Sequence, residues 1–255
     1  LPAQNSDITT ALSPDTPAIG IALRGGALTF GDKRVFNQLD LDVPAGLTTC
    51  LLGPSGVGKS SLLRLIAGIA PEATAQHLET SDGGPIVGRI AYMDQRDLLL
   101  PWLSVFDNVT LGARLRGETA DRARAALLLQ RVGLAGEANS LPAALSGGMR
   151  QRAALARTLM EDRPMILMDE PFSAVDALTR LRLQDLAAEL LIGRTTLLVT
   201  HDPLEALRLG HRVLVLSGDP ARISEPLDPL GLPPRPSDDP ALHGLAAQIL
   251  RDLAG

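Results

Sequence analysis

LTTCLLGPSGVGKSSLLRLIAG, residues 47–68, decides the fold. LTTCLL (47–52) is a continuous apolar run, short enough for a buried strand. SSLLRLIA (60–67) has helical spacing and stops at Gly68, a residue that tolerates the left-handed turn ending a helix. Between them GPSGVGKSS (53–61) fits the pattern G-x-x-x-x-G-K-[ST]. Gly53, Pro54, Ser55, Gly56 and Gly58 form a loop whose bare backbone N–H groups can curl around phosphate oxygens. Lys59 then reaches the β- and γ-phosphates, and Ser60, followed by Ser61, offers a hydroxyl to Mg²⁺. The helix that opens there adds its positive end to the same anion. The competing reading is a chance glycine-rich turn, and the flanking strand and helix argue against it.

Three further stretches place polar groups at strand ends. MILMDEP (165–171) is an apolar strand ending in two acids, which a buried strand can hold only where it opens onto solvent or metal. Asp169 would hold Mg²⁺, and Glu170 would orient or deprotonate an attacking water. TTLLVTHD (195–202) repeats the arrangement and delivers His201 to the same edge. A lone His after a strand is ordinarily a surface or capping residue; this placement makes it a γ-phosphate contact. Gln95 follows the strand GRIAYMD and could accept from a water or bind Mg²⁺ through its oxygen; alone it reads equally well as a loop glutamine. ALSGGMRQRA (144–153) is too glycine-rich for a helix start that only has to pack. Ser146, Gly147 and Gly148 make an anion site of a hydroxyl, bare N–H groups and a helix dipole. A chain that already holds one phosphate loop has use for a second if another molecule brings the nucleotide.

The whole chain reads as α/β. Residues 19–43 show strand and hairpin grammar, predicting an antiparallel sheet. Strands alternating with helices from residue 47 onward predict a largely parallel core sheet. Helical residues 104–134 and 147–161 make an inserted subdomain over about 98–161, and QDLAAELL (184–191) predicts a further helix. Residues 71–88 read as polar connection. Beyond residue 225 the chain turns proline-rich and closes with a helix over about 240–253. Residues 1–17 read as a mobile tail with no signal peptide, and the start at Leu1 as a trimmed end.

Composition excludes several classes. The 24 basic and 29 acidic residues balance to −5, without a basic stripe for nucleic acid. Aromatic residues at 2% leave no platform for stacking bases. No window reaches the ~20 apolar residues of a membrane span. The one cysteine, Cys50, excludes an internal disulfide and suits a reducing compartment. Only two lysines, Lys33 and Lys59, stand against 22 arginines, which sharpens the question of why position 59 is lysine.

GPSGVGKSS, Gln95, LSGGMRQR, MILMDEP, SAVD (173–176) and His201 together resemble, in order and spacing, the ATP-binding subunit of an ABC transporter. The resemblance runs from about residue 19 to 230. It implies a P-loop NTPase of RecA-like type, with a parallel core sheet, an N-terminal antiparallel β subdomain and an inserted α-helical subdomain. The ATPase domain would span 18–230, with 231–255 as proline-rich tail and terminal helix. It also implies a head-to-tail homodimer closing on two ATP molecules with Mg²⁺, each between one chain's P-loop and the other's LSGG helix. Ser146, Gly147 and Gly148 would bind the partner's γ-phosphate, Phe30 would stack on adenine, and Asp176 would link the two sites. Gln95 and RDLLLPWLSVFDNV would receive a transmembrane permease subunit; Leu98–Leu103 could equally be subdomain core. A periplasmic solute-binding protein would act indirectly, and the chain would sit peripherally on the cytoplasmic face of a bacterial inner membrane.

The loop QRDLLLPWLSVFDNV and the tail PLGLPPRPSDDPALHGLAAQIL are most similar to importers of nitrate, sulfonates and taurine, whose relatives carry pyrimidine thiamine precursors. The chain ends too soon after its tail for the regulatory domain of some sugar importers. Two positions depart from the family pattern. Met149 replaces a usual glutamine, losing one neutral contact worth on the order of 1 kcal/mol. SAVD replaces the commoner SALD, a small aliphatic exchange. The alternative is a soluble ABC-type ATPase of repair or translation. Lys59 and Ser146, 87 residues apart without sustained heptads, leave no room for a repair-type coiled coil, and translation types carry two P-loops. An unrelated P-loop kinase should lack LSGG.

Overall fold

Five short strands, apolar on both faces, need cover on both sides, and the computed structural model, which describes residues 17–254, supplies it. The elements in chain order are β1 (Ile21–Phe30), β2 (Lys33–Val43), β3 (Thr48–Leu52), α1 (Lys59–Ala67), β4 (Ala73–Thr74), β5 (His77–Thr80) and β6 (Ile90–Met93). Then come α2 (Val105–Val109), α3 (Leu111–Leu115), α4 (Arg122–Arg131), α5 (Gly147–Met160), β7 (Met165–Asp169), α6 (Ala177–Leu190) and β8 (Thr195–Thr200). The chain finishes with α7 (Pro203–Leu209), β9 (Arg212–Gly218), β10 (Ala221–Ile223) and α8 (Pro240–Ala254). The N-terminal residues read as a tail lie, up to residue 16, outside the described residues.

The core sheet runs β9-β3-β8-β7-β6, parallel throughout. All four strands that precede a candidate site residue therefore end on one edge. Their side chains alternate between two cores. Cys50, Leu52, Ile166, Met168 and Leu198 face the helices α4 to α8. Leu51, Met165, Leu167, Leu197 and Val199 face α1 and the antiparallel layer. In that layer β1 pairs with β2, and β10 bridges β2 to β9, so both layers form one curled sheet. No described helix is long and apolar enough to cross a membrane.

Four departures from the sequence reading have local causes. The stretch 104–134 is three short helices rather than one. Gly117, at φ 72°, ends α3 in the left-handed region, and Asp121 restarts the helix by accepting from the Arg124 N–H. The helix expected at QDLAAELL begins earlier, at Ala177, because Asp176 caps it. The polar connection 71–88 contains β4 and β5, both edge partners of β1. Strand β9, in HRVLVLSG, went unread and completes the core sheet beside β3.

The tail is fastened by one side chain. Arg235 is 3% exposed, and its five donors meet five backbone carbonyls at 2.7–2.8 Å. Two of these, on Leu207 and Gly210, belong to the end of α7, whose negative dipole end favours a cation. The other three, on Pro229, Leu230 and Gly231, fold the proline-rich loop around the guanidinium. Arg235→Ala should leave these carbonyls without partners and lower unfolding free energy in urea by about 3 kcal/mol or more. Arg235→Lys, with three donors for five acceptors, should recover part of that loss.

Candidate functional site

The loop after β3 is shaped by three glycines with separate constraints. A Cβ on Gly53 would lie 2.3 Å from the Leu216 carbonyl oxygen, so β9 seals the loop's back. Gly56 sits at φ 80° with open space around it, leaving its backbone free to meet a ligand. Gly58, at φ 109°, would drive a Cβ to 2.8 Å from Val35. Lys59 follows as the first residue of α1, 5% exposed, its Nζ donating to the Gly53 and Pro54 carbonyls at 2.8 and 2.9 Å. Burial pulls its pKa below the usual lysine value, opposed by the charges of Glu170 and Asp169. An ammonium resting on its own loop carbonyls is poised to exchange them for phosphate oxygens.

A cleft of about 320 Å³ opens over this loop. Ser55, Gly56, Gly58, Lys59, Ser60 and Ser61 form its floor, and Gln95 and Glu170 one wall. Phe30, Lys33 and Val35 form the other. Phe30 and Lys33 are cross-strand partners flanking the Gly31–Asp32 turn, and Phe30 is 53% exposed, with a ring face free to receive a flat group. Both lysines of the chain thus line one cleft, a pairing the sequence alone did not reveal for Lys33. An apolar groove under α8, lined by Val215, Leu227, Leu245 and Ile249, holds none of these groups.

At the mouth of the cleft three loops meet on Glu170. Gln95 Nε2 donates to one carboxylate oxygen at 3.1 Å, and His201 Nδ1 lies 3.1 Å from the other. Glu170 itself has φ 48°, a left-handed conformation that costs a β-substituted residue roughly 1–3 kcal/mol. Four hydrogen bonds hold it there. Its N–H donates to Val199, and its carbonyl accepts from the Ser173 N–H, the Ser173 hydroxyl and Gln151 Nε2. Gln151 also accepts from the Ala174 N–H at 2.7 Å, so α5 grips the segment after β7 from both sides. Gln151 was missed in the sequence; its glutamine among the arginines of GGMRQRA, 5% exposed, was the available signal.

Asp169 ends β7 directly beneath, 1% exposed, and neither of its oxygens has a hydrogen-bond partner among the described residues. Burial pushes its carboxyl above the usual range, while the Ser60 hydroxyl, the nearest polar group, favours the charged form. A buried carboxylate with idle lone pairs beside a serine hydroxyl fits a divalent cation that takes its other ligands from phosphate and water. Gln95, exposed and turned to Glu170, is free to join that set. No group of three or more His, Cys, Asp or Glu forms a self-sufficient metal site among the described residues.

Ser146, Gly147, Gly148 and Asp176 are not in this cleft. Ser146 caps α5, accepting from the Met149 N–H at 3.3 Å. A Cβ on Gly148 would press against Val175 at 3.3 Å, which explains that glycine. One on Gly147 would meet almost nothing of this chain, the nearest atom being an Arg150 side-chain nitrogen at 4.0 Å. Asp176, at the head of α6, is held below the usual carboxylate range, foremost by the Thr179 N–H. Met149, read as a lost contact, packs its side chain against the helical core instead. Of the loop after Gln95, Leu99 is core, whereas Leu98 and Trp102 are 49% and 70% exposed.

Comparison with known proteins follows the same outline. Residues 36–173 match the family model described as ABC transporter. The chain is 42% identical over 244 residues to an aliphatic sulfonates import ATP-binding protein of Burkholderia cenocepacia, covering 92% of this chain and 89% of that one. It is 44% identical over 234 residues to an uncharacterized ABC transporter ATP-binding protein of Haemophilus influenzae, covering 90% and 96%. A solved structure, a dimeric ATP-binding cassette in a post-hydrolysis state with ADP and phosphate, superposes with a TM-score of 0.72 at 27% identity. That match covers 83% of this chain and all of the other. If Gln151 holds the Glu170 backbone in place, Gln151→Ala should lower steady-state ATP turnover at least about five-fold. ATP affinity at the P-loop should stay within about two-fold by equilibrium binding, since Gln151 lines no part of the cleft.

Proposed function

The chain belongs to the ABC transporter family and is an ATPase; from that premise we propose that it drives solute import by closing head to tail on a second copy around two ATP molecules. The observation that carries this reading is the separation of the two anion sites. The cleft over the P-loop lacks the LSGG helix, and Gly147 presents a bare backbone to space that this chain does not fill. A partner copy brought head to tail would place that helix over the γ-phosphate.

Within each composite site, Phe30 stacks on adenine while the residues from Gly53 to Ser61 hold the phosphates. Lys59 exchanges its loop carbonyls for β- and γ-phosphate oxygens. Ser60, Asp169 and Gln95 would hold Mg²⁺, which when bound neutralises charge on the phosphates. Glu170 orients the attacking water and accepts its proton, with Gln95 and His201 fixing the carboxylate and His201 reaching the γ-phosphate. Ser146, Gly147 and Gly148 complete the partner's site, and Asp176 joins the two.

The exposed Leu98 and Trp102 support a permease contact beside Gln95, in a subunit lying against the cytoplasmic face of the membrane. Arg150 pairs with Asp97 at 3.0 Å and Arg157 donates to the Asp97 and Leu98 carbonyls, so movement of this loop would pull on α5 directly. A solute-binding protein outside the membrane would act through that permease. The names of the relatives favour an aliphatic sulfonate or a related small anion as solute, ahead of nitrate, taurine or a pyrimidine precursor.

Glu170→Gln should bind ATP, lose turnover by at least ~100-fold and become a dimer in ATP by light scattering. A monomer with wild-type turnover would sink both the role of Glu170 and the closure. Lys59→Ala should remain monomeric under the same conditions.

A further inference from the structure

A buried polar network lies behind His201, outside the nucleotide cleft. Glu205, on α7, is 6% exposed, and its Oε2 accepts from Nε2 of Gln184 on α6 at 3.0 Å. Gln184, 3% exposed, in turn accepts from Arg208 at 3.0 Å, and Arg208 pairs with Asp185. The Thr200 hydroxyl accepts from the Asp202 N–H at 3.1 Å and turns its own hydrogen to the Glu205 carboxylate. The Asp202 side chain accepts from the Leu204 and Glu205 N–H groups. Residues 200 and 202, on either side of His201, therefore both hang on Glu205. At the head of α6, Arg180 donates to the Val175 carbonyl at 3.1 Å, next to Asp176. A cavity of about 50 Å³ connects Glu205 and Arg180 with Glu170 and His201.

We propose that the Glu205–Gln184 bridge is a positioning device for His201, fastening the strand end that carries it to α6, and that it is fully made only while Glu205 is ionised. The proposal rests on His201 acting at the γ-phosphate, as read above. An ionised carboxylate accepts from Gln184 and Thr200 at once. A neutral carboxyl carries a hydrogen of its own into a pocket where both neighbours already donate, so one contact must be given up.

Burial pushes the Glu205 carboxyl up to about 7, with Asp202 on its own helix adding to the rise. Thr200, Gln184 and Arg180 oppose it. Cys50 faces it from β3 as a neutral thiol, its own pKa pushed further up by Glu205. Arg208 and Arg235 are engaged by Asp185 and Gln184 and by the five carbonyls, and His201 by Glu170. The sign follows. Below about 7 the carboxyl is neutral and the bridge is loosened, and above it both contacts are made.

The test is steady-state ATP hydrolysis by the full chain from about pH 6 to about pH 8.5, with Tm and KM for ATP recorded alongside. Wild-type kcat should rise about five-fold through pH 7, the effect of one hydrogen bond. Glu205→Gln should stay on the acid plateau at every pH with Tm and KM unchanged, because an amide must donate where the carboxylate accepted. The exchanged pair, Glu205→Gln with Gln184→Glu, sets the carboxylate beside Arg208 and returns an acceptor to Thr200. It should regain the alkaline kcat and keep it at low pH.

Glu205→Gln with the wild-type kcat and acid limb would overturn the bridge. So would an exchanged pair as slow as the single variant, or a loss of kcat that tracks falling Tm and weaker ATP binding. His201→Ala separates the two assignments. If it keeps wild-type turnover, His201 is misassigned and the bridge falls with it. If it loses turnover while Glu205→Gln does not, the bridge alone is wrong.

Discussion

The backbone at Glu170 is the point on which the arrangement turns. A glutamate at φ 48° is held against its preference by Val199, Ser173 and Gln151, that is, by β8, its own loop and α5. That conformation lifts the carboxylate off the end of β7, where Asp169 stays buried, and turns it into the reach of Gln95 and His201. Two adjacent acids thus get opposite environments, one sealed beside Ser60 and one at the cleft mouth. The parallel sheet makes this possible, because β3, β6, β7 and β8 all end on the same edge.

What the sequence made legible was the part with short-range grammar. The P-loop was readable because its strand, glycines, lysine and helix are contiguous, and each imposes a local requirement that only those residue types meet. The paired acids and His201 were readable because an apolar strand that ends in a charge must be near its exit. The Ser146–Gly148 helix start was readable because its composition contradicts simple packing. In each case a few neighbouring residues carried the whole physical argument.

What stayed hidden depends on contacts between distant residues. Strand β9 went unread although its seal behind Gly53 shapes the phosphate loop. Gln151 and Arg235 look like ordinary members of a helix and a tail until their acceptors, 19 to 28 residues away, are in place. Lys33 became a cleft residue only once β1 and β2 paired across their turn. Met149 shows the reverse error. Read as a missing polar contact, it is a half-buried side chain that contributes packing to the helical core, so replacing it with an amide would exchange one interaction for another rather than restore a loss.

Gly147 and Gly148 separate two reasons for the same residue type. A side chain at Gly148 would collide with Val175, so that glycine is required by this chain's own packing. A side chain at Gly147 would collide with almost nothing, so its absence gains this chain no room. A glycine that does not relieve its own fold must either be indifferent or make room for something else. The neighbouring Ser146 cap and the N–H groups at the head of a fourteen-residue helix make an anion the occupant with the best chemistry. The one phosphate cleft in the chain lies elsewhere, so the anion belongs to a different copy. Turnover then requires two chains to agree: α5 holds Glu170 in its own chain through Gln151 while its first turn serves the other, so closing one site sets the backbone of the second.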